Sequence, residues 1–160
     1  MVDSPLAIRE AVDADLVDLE ICCRDPVRLI PNFKELFVDH HHVVTFVALW
    51  DRLLVGAVSG TLDQSQNHGF LPAFKLFFLH VAPNFRHRGI GTALFEHMRG
   101  FLRKKKIGAV SFSLFQNDKG IPFLEALGFQ RRKIERGLIH FELELWESFG
   151  VVDEESPEEI

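Results

Sequence analysis

The stretch of this chain best equipped for chemistry is Arg86-His87-Arg88-Gly89-Ile90-Gly91-Thr92. It follows an apolar run, Ala73 to Val81, that Pro83 ends, and it precedes an amphipathic run with Ile90, Leu94, Met98, Phe101 and Leu102 at helical spacing. The reading is a strand, a basic glycine loop and the start of a helix. Amides in the first turn of a helix lack an intrahelical acceptor and attract anions, and the helix dipole adds to this. Gly89 and Gly91 let a phosphate approach the backbone, and Arg86 and Arg88 supply charge suited to a pyrophosphate. The loop lacks the Gly-Lys-Ser/Thr ending of a nucleotide P-loop. It also lacks the third glycine of the dinucleotide fingerprint. A solvated basic turn is the plainer alternative.

A nearly continuous apolar strand is expected where both faces are covered, and Ala73 to Val81 reads that way. Before it, Leu6 to Val12 reads as a strand, Asp13 and Asp15 as helix N-caps, and 32–40 as a second helical piece. Val43 to Trp50 and Leu53 to Thr61 form an expected hairpin around Asp51-Arg52, and the polar stretch 63–72 reads as a loop. Beyond the amphipathic helix, whose end is marked by Gly108, Ala109 to Phe115 is a strand. Asn117-Asp118 caps a short helix ended by a left-handed Gly128. Gln130 to Glu135 and Leu138 to Trp146 make a terminal hairpin around Arg136-Gly137. The expected class is α/β: a mixed sheet with helices on both faces, one domain over 1–150 and an acidic, mobile tail over 151–160.

Composition narrows the function classes. The 160 residues are 47% hydrophobic and carry sixteen Phe, enough for a sizeable core. A net charge of −5 argues against a nucleic-acid binder. No apolar stretch approaches a membrane span. The two cysteines, Cys22 and Cys23, are adjacent, which suits neither a disulfide framework nor a zinc site, and a reducing, cytoplasmic home is expected. Consecutive histidines, His40-His41-His42, do not easily converge on one ion, so no metal is expected.

The segment Arg86-x-x-Gly89-x-Gly91 after Leu79-x-Val81-x-Pro83 resembles the acyl-CoA-binding motif of the GNAT superfamily of N-acetyltransferases. Asn117-x-x-Gly120-x-x-Phe123-Leu124-x-x-x-Gly128-Phe129 is similar to that family's next motif. Ile8-Arg9-Glu10-Ala11 with Asp15 resembles its opening, and Phe141-Glu142-Leu143 its last strand. The likeness runs in order over 6–146.

The resemblance implies an acetyltransferase that moves an acetyl or other acyl group from acetyl-CoA to an amine by direct attack. The strand Ala73 to Val81 would splay from Ala109 to Phe115, and backbone groups of Leu79 and Val81 would bond the pantetheine arm. The amides of Arg86, His87, Arg88, Gly89, Ile90, Gly91 and Thr92 would hold the pyrophosphate, and Asn117 and Phe123 would touch the cofactor. An amide near Leu79 would polarise the thioester carbonyl.

Two departures stand out. Many relatives place a proton-donating Tyr where Leu124 stands, and this chain has no Tyr. A thiol with pKa near ~8.5 leaves tolerably without full protonation, so the missing phenol need not end turnover; a domain that keeps the cradle but has lost turnover, a sensor or scaffold, is the alternative that Leu124 leaves open. The base is also open. His80 is the leading candidate, although strand alternation puts it on the opposite face from Leu79 and Val81. His68, His140, Glu142 or a water chain are others. The acceptor, a small-molecule or peptide amine, would be met by 24–42, 63–72 and the terminal hairpin. Asp25, Glu35 and Asp39 would suit a cation, and the hairpin is a plausible homodimer edge.

Overall fold

A computed structural model describes residues 4–68 and 71–145. Its elements are β1 (Leu6–Glu10), α1 (Leu16–Cys22), α2 (Arg24–Arg28), α3 (Phe33–Phe37), β2 (Val43–Trp50), β3 (Leu53–His68), β4 (Leu71–Val81), α4 (Ile90–Lys104), β5 (Ala109–Phe115), α5 (Ile121–Ala126), β6 (Gln130–Glu135) and β7 (Leu138–Glu144). Seven strands run in the order β1-β2-β3-β4-β5-β7-β6, antiparallel in the described registers except for the parallel pair β4–β5. The mixed α/β sheet expected from the sequence is therefore present. The chain divides into two compact units: the residues to Thr61 with Leu76–Gly100, and Leu62–Lys75 with the chain from Phe101 onward.

In the first unit, both turns and caps follow local chemistry. Asp51 and Arg52 both take left-handed φ values, 48° and 74°, as a tight hairpin between β2 and β3 requires. Asp15 stands at the N-cap position of α1, as expected, but its side chain makes no cap bond to that helix. Its carboxylate accepts from the Val12 amide at 2.8 Å and from both Arg9 terminal nitrogens at 2.8 and 2.9 Å. The fork ties β1 to the turn before α1, and the Arg9 hydrogen bond holds the Asp15 carboxyl below the usual carboxylate range.

Leu19, Cys23, Val27, Phe33 and Phe37 from the helices pack with Val47, Leu54, Ala57 and Phe78 from the strands. Phe33 sits 5.9 Å from both Phe37 and Phe78, ring to ring. One buried polar pair interrupts this interior: Thr45 and Ser59, in register across β2–β3, share a 2.8 Å hydrogen bond. Each hydroxyl thus satisfies the other, which removes the cost of burying it alone.

In the second unit, β5 pairs with β4 from Ala73↔Ala109 to Lys75↔Ser111, and with β7 along its whole length from Ala109↔Glu144 to Phe115↔Leu138. Arg136 and Gly137, at φ 54° and 82°, close the β6–β7 hairpin. Gly128 takes the left-handed position expected of it, φ 106°, and the Phe129 amide donates back to the Leu124 carbonyl. At the end of α4 that position belongs to Lys106, φ 60°, and not to Gly108. The Ile107 amide reaches the Leu102 carbonyl there, so the helix closes before Gly108 is reached.

The expected loop over 63–72 is a further correction, since β3 extends to His68 and β4 begins at Leu71. A polar stretch can hold a strand through backbone pairing alone, and it leaves no apolar alternation to reveal it. Trp146 and the tail over 151–160 lie outside the described residues.

Gly56 on β3 fixes how closely β4 approaches. A Cβ there would lie 2.8 Å from the His80 carbonyl oxygen and 3.3 Å from a Leu94 methyl. The Ala82 amide donates to the Val55 carbonyl beside it at 2.8 Å. Gly56→Ala should therefore cost roughly 1–3 kcal/mol. The expected result is a lower urea midpoint with an unchanged m-value.

Candidate active site

The loop between β4 and α4 has the geometry that an anion needs. Gly89 sits at φ 81°, where L side chains are strained, and nothing lies within 4 Å of where its Cβ would be. The first backbone bond of α4 runs from the Ala93 amide to the Gly89 carbonyl at 3.0 Å. The amides of Ile90, Gly91 and Thr92 precede it and have no acceptor within the helix. Fifteen residues of aligned peptide dipoles stand behind them. Buried Ile90, Leu94, Phe95, Met98 and Leu102 hold the helix in place, while Phe101, expected on that face, is only half-buried. His87 also adopts a left-handed conformation, φ 64°, so the turn into α4 uses two such residues.

The two arginines are more committed than their sequence positions suggest. Arg86 folds back so that its Nε donates to the Val81 carbonyl at 2.8 Å. Its guanidinium still carries charge at the mouth of the loop. Arg88 lies over the Trp50 ring and over the Phe85 ring, 5.1 Å from each centroid, and donates to the Asn84 carbonyl at 3.4 Å. Trp50 and Phe85 were invisible as site residues. A Trp at the end of a strand and a Phe in a loop carry no code for the cation that lies over both.

His80 is half-buried at the end of β4. Burial, and then the Arg86 charge, lower its pKa, while Asp25 and a hydrogen bond to the Cys22 carbonyl act in the opposite sense. The imidazole is thus neutral at pH 7 and able to take a proton. It lies with Cys22, Asp25 and Arg86 on the side of α1 and α2. Both cysteines are free thiols. Hydrogen bonding to Cys22 and then burial push the Cys23 thiol up, whereas the bond from Cys23 brings Cys22 down.

The histidine run is occupied otherwise. His40 contacts Asp13 at 2.7 Å, and His42 contacts Asp39 at 2.9 Å. Among the described residues no cluster of His, Cys, Asp or Glu could hold a metal ion. No helix of the described residues is long and apolar enough to cross a membrane.

In the second unit, Asn117 follows β5, and the Asp118 carboxylate accepts from the Gly120 amide at 2.7 Å to start α5. Phe123 is 38% exposed and Leu124 only 2%. The position that many relatives give to a phenol is therefore a core position here. His140 and Glu142 lie on β7, and of His68 only the backbone is described.

A sequence profile of the acetyltransferase (GNAT) family matches residues 13–129. The chain belongs to that family. It is an acyltransferase, and the acetyl donor of such enzymes is acetyl-CoA. Among curated proteins, none matches the sequence.

Solved structures share the fold. The Arabidopsis thaliana NAA60 complex with acetyl-CoA is 18% identical at a TM-score of 0.73, covering 88% of this chain and 98% of its own. The ribosomal-protein-S18-alanine N-acetyltransferase from Escherichia coli is 18% identical at 0.72, covering 88% and 94%. The PaiA N-acetyltransferase from Thermoplasma acidophilum, in complex with coenzyme A, is 16% identical at 0.70, covering 87% and 98%. The cradle at α4 fits such a donor, because its open amides and Gly89 accept a phosphate without displacing any side chain.

The burial of Leu124 yields a test. Leu124→Tyr forces a larger ring and an unpartnered hydroxyl into the core, at roughly 1–3 kcal/mol. The variant should melt lower and release thiol from acetyl-CoA no faster per folded molecule.

Proposed function

We propose that this enzyme acetylates the primary amine of a peptide N-terminus or of a small molecule. Acetyl-CoA would be held at the start of α4 and attacked directly by the amine. The observation that carries this reading is the open amide cradle over Gly89–Thr92. In it, the amides from His87 to Thr92 bind the pyrophosphate, and Arg86, whose own amide donates to the Pro83 carbonyl, adds charge. Backbone groups of Leu79 and Val81 bond the pantetheine arm.

Bound acetyl-CoA supplies an electrophilic thioester carbonyl and a leaving thiolate. An amide near Leu79 would steady the charge that grows on that carbonyl oxygen. Neutral His80 would take the proton that the amine must lose, and Asp25 beside it would steady the imidazolium. A peptide acceptor is favoured by the neighbours. One is named for the alanine of a ribosomal protein, and Arabidopsis thaliana Naa50 is bound to the analogue CoA-Ac-MVNAL. Two free cysteines suit a reducing compartment.

Coenzyme A should stabilise the fold. Ligand at a hundred times its dissociation constant adds about 2.7 kcal/mol, visible as a raised Tm with millimolar acetyl-CoA. Gly89→Asp and Gly91→Val should remove that shift, one by charge and the other by bulk. Normal binding in both would rule out the cradle.

The His80 assignment carries its own test, in a pH series with a peptide acceptor and acetyl-CoA. Because its pKa is lowered, kcat/KM should hold below the ordinary imidazole value of about 6.5 and fall only at more acid pH. His80→Gln should abolish that acid limb and lower the rate roughly 10²-fold. An unchanged profile would count against His80 as base.

A further inference from the structure

Arg86 stands between the amide cradle and His80, and every group concerned lies in the first unit. The Arg86 Nε donates to the Val81 carbonyl at 2.8 Å, one peptide along from His80. That bond fixes the guanidinium at the end of β4. Among the described residues no acceptor takes its terminal nitrogens, so they are left for an anion held by the amides of the loop.

Among the described residues, the charged groups that act on the His80 ring are Asp25 from α2 and Arg86 from the loop, in opposite senses. α1 contributes the Cys22 carbonyl, which accepts a hydrogen bond from the ring, and the Cys22 thiol of the same residue. The β3 residues at this end of β4, Val55 and Gly56, carry no charge. The ring is half-buried, where a neighbouring charge acts more strongly than in water. Burial and then the Arg86 charge both favour the neutral imidazole. The second of these is the one that an anion removes. A phosphate oxygen on the guanidinium cancels its field at the ring and adds negative charge of its own.

We infer that Arg86 couples donor binding to the base: His80 holds a proton more firmly while an anionic donor occupies the guanidinium, and releases it when the anion leaves. This inference rests on acetyl-CoA being held at the proposed cradle. Linkage makes the effect reciprocal, so a protonated His80 strengthens donor binding by the same factor. For turnover, the coupling sets an order. His80 gains proton affinity once the donor is seated, takes the proton that the amine sheds, and returns it to water as coenzyme A departs. Burial stays in place, so part of the preference for a neutral ring survives for the next amine.

The test is a pH titration of the His80 ring by ¹⁵N NMR, with the signal assigned by its loss in His80→Gln. Dephospho-coenzyme A is the probe. It keeps the pyrophosphate and lacks the monoester phosphate, which would itself titrate near ~6. In the wild-type protein the His80 midpoint should rise on saturation with this probe. In Arg86→Gln the midpoint should already be raised without ligand, and the probe should move it less than half as far. His87, exposed in the same loop, is another imidazole that the anion would meet, and the assigned signal keeps the two apart.

Affinity gives a second readout. An anion that strengthens protonation binds better as pH falls through the His80 transition. Wild-type protein should bind the probe roughly fivefold more tightly on the acid side than on the alkaline side, and His80→Gln should flatten that dependence. A probe that raises Tm and shifts the Gly89–Thr92 amide signals, yet leaves the His80 midpoint unmoved, overturns the coupling and leaves the donor site standing. An Arg86→Gln midpoint equal to the wild-type one in the free protein does the same. If neither Tm nor those amides respond to the probe or to coenzyme A, the donor site falls and the coupling with it.

Discussion

Three amides at the start of α4 have no acceptor within their own helix, and the rest of the donor site follows from keeping them so. A buried helix start without partners would cost several hydrogen bonds, which is why such ends are normally capped by a side chain. Here the residue before the helix is Gly89 at φ 81°, which has no side chain to offer. Ile90 is 1% exposed and Leu94 0%, so the helix cannot rotate to find another partner. The apolar face thus holds open a polar end, and the free energy that fixes the site comes from packing elsewhere on the same helix.

Around that end, positive charge is restrained as well as supplied. Arg86 is pinned to the Val81 carbonyl and Arg88 lies over both Trp50 and Phe85. A pinned guanidinium loses less rotamer entropy when an anion arrives than a free one would. Burial, and then the charge of the same Arg86, lower the pKa of His80. Gly56 lets the His80 carbonyl approach β3 to a distance that any Cβ would block.

Much of this was legible in the sequence, for a physical reason. Glycines, prolines and helical periodicity report backbone geometry directly, so the strand, the glycine loop, α4, and the turns at Asp51-Arg52 and Arg136-Gly137 could be read from residue type. Gly128 could be read in the same way. What stayed hidden depends on partners far away in the chain. Asp15 stands at the N-cap position that was read for it, but its carboxylate binds Arg9 because strand placement brings that side chain near. The extension of β3 to His68 has no apolar alternation to announce it. The cation over Trp50 and Phe85, and the register that sets Ser113 against His140, exist only once the strands have paired. Leu124 sits where the family motif puts a phenol, yet its burial could not be read from that spacing.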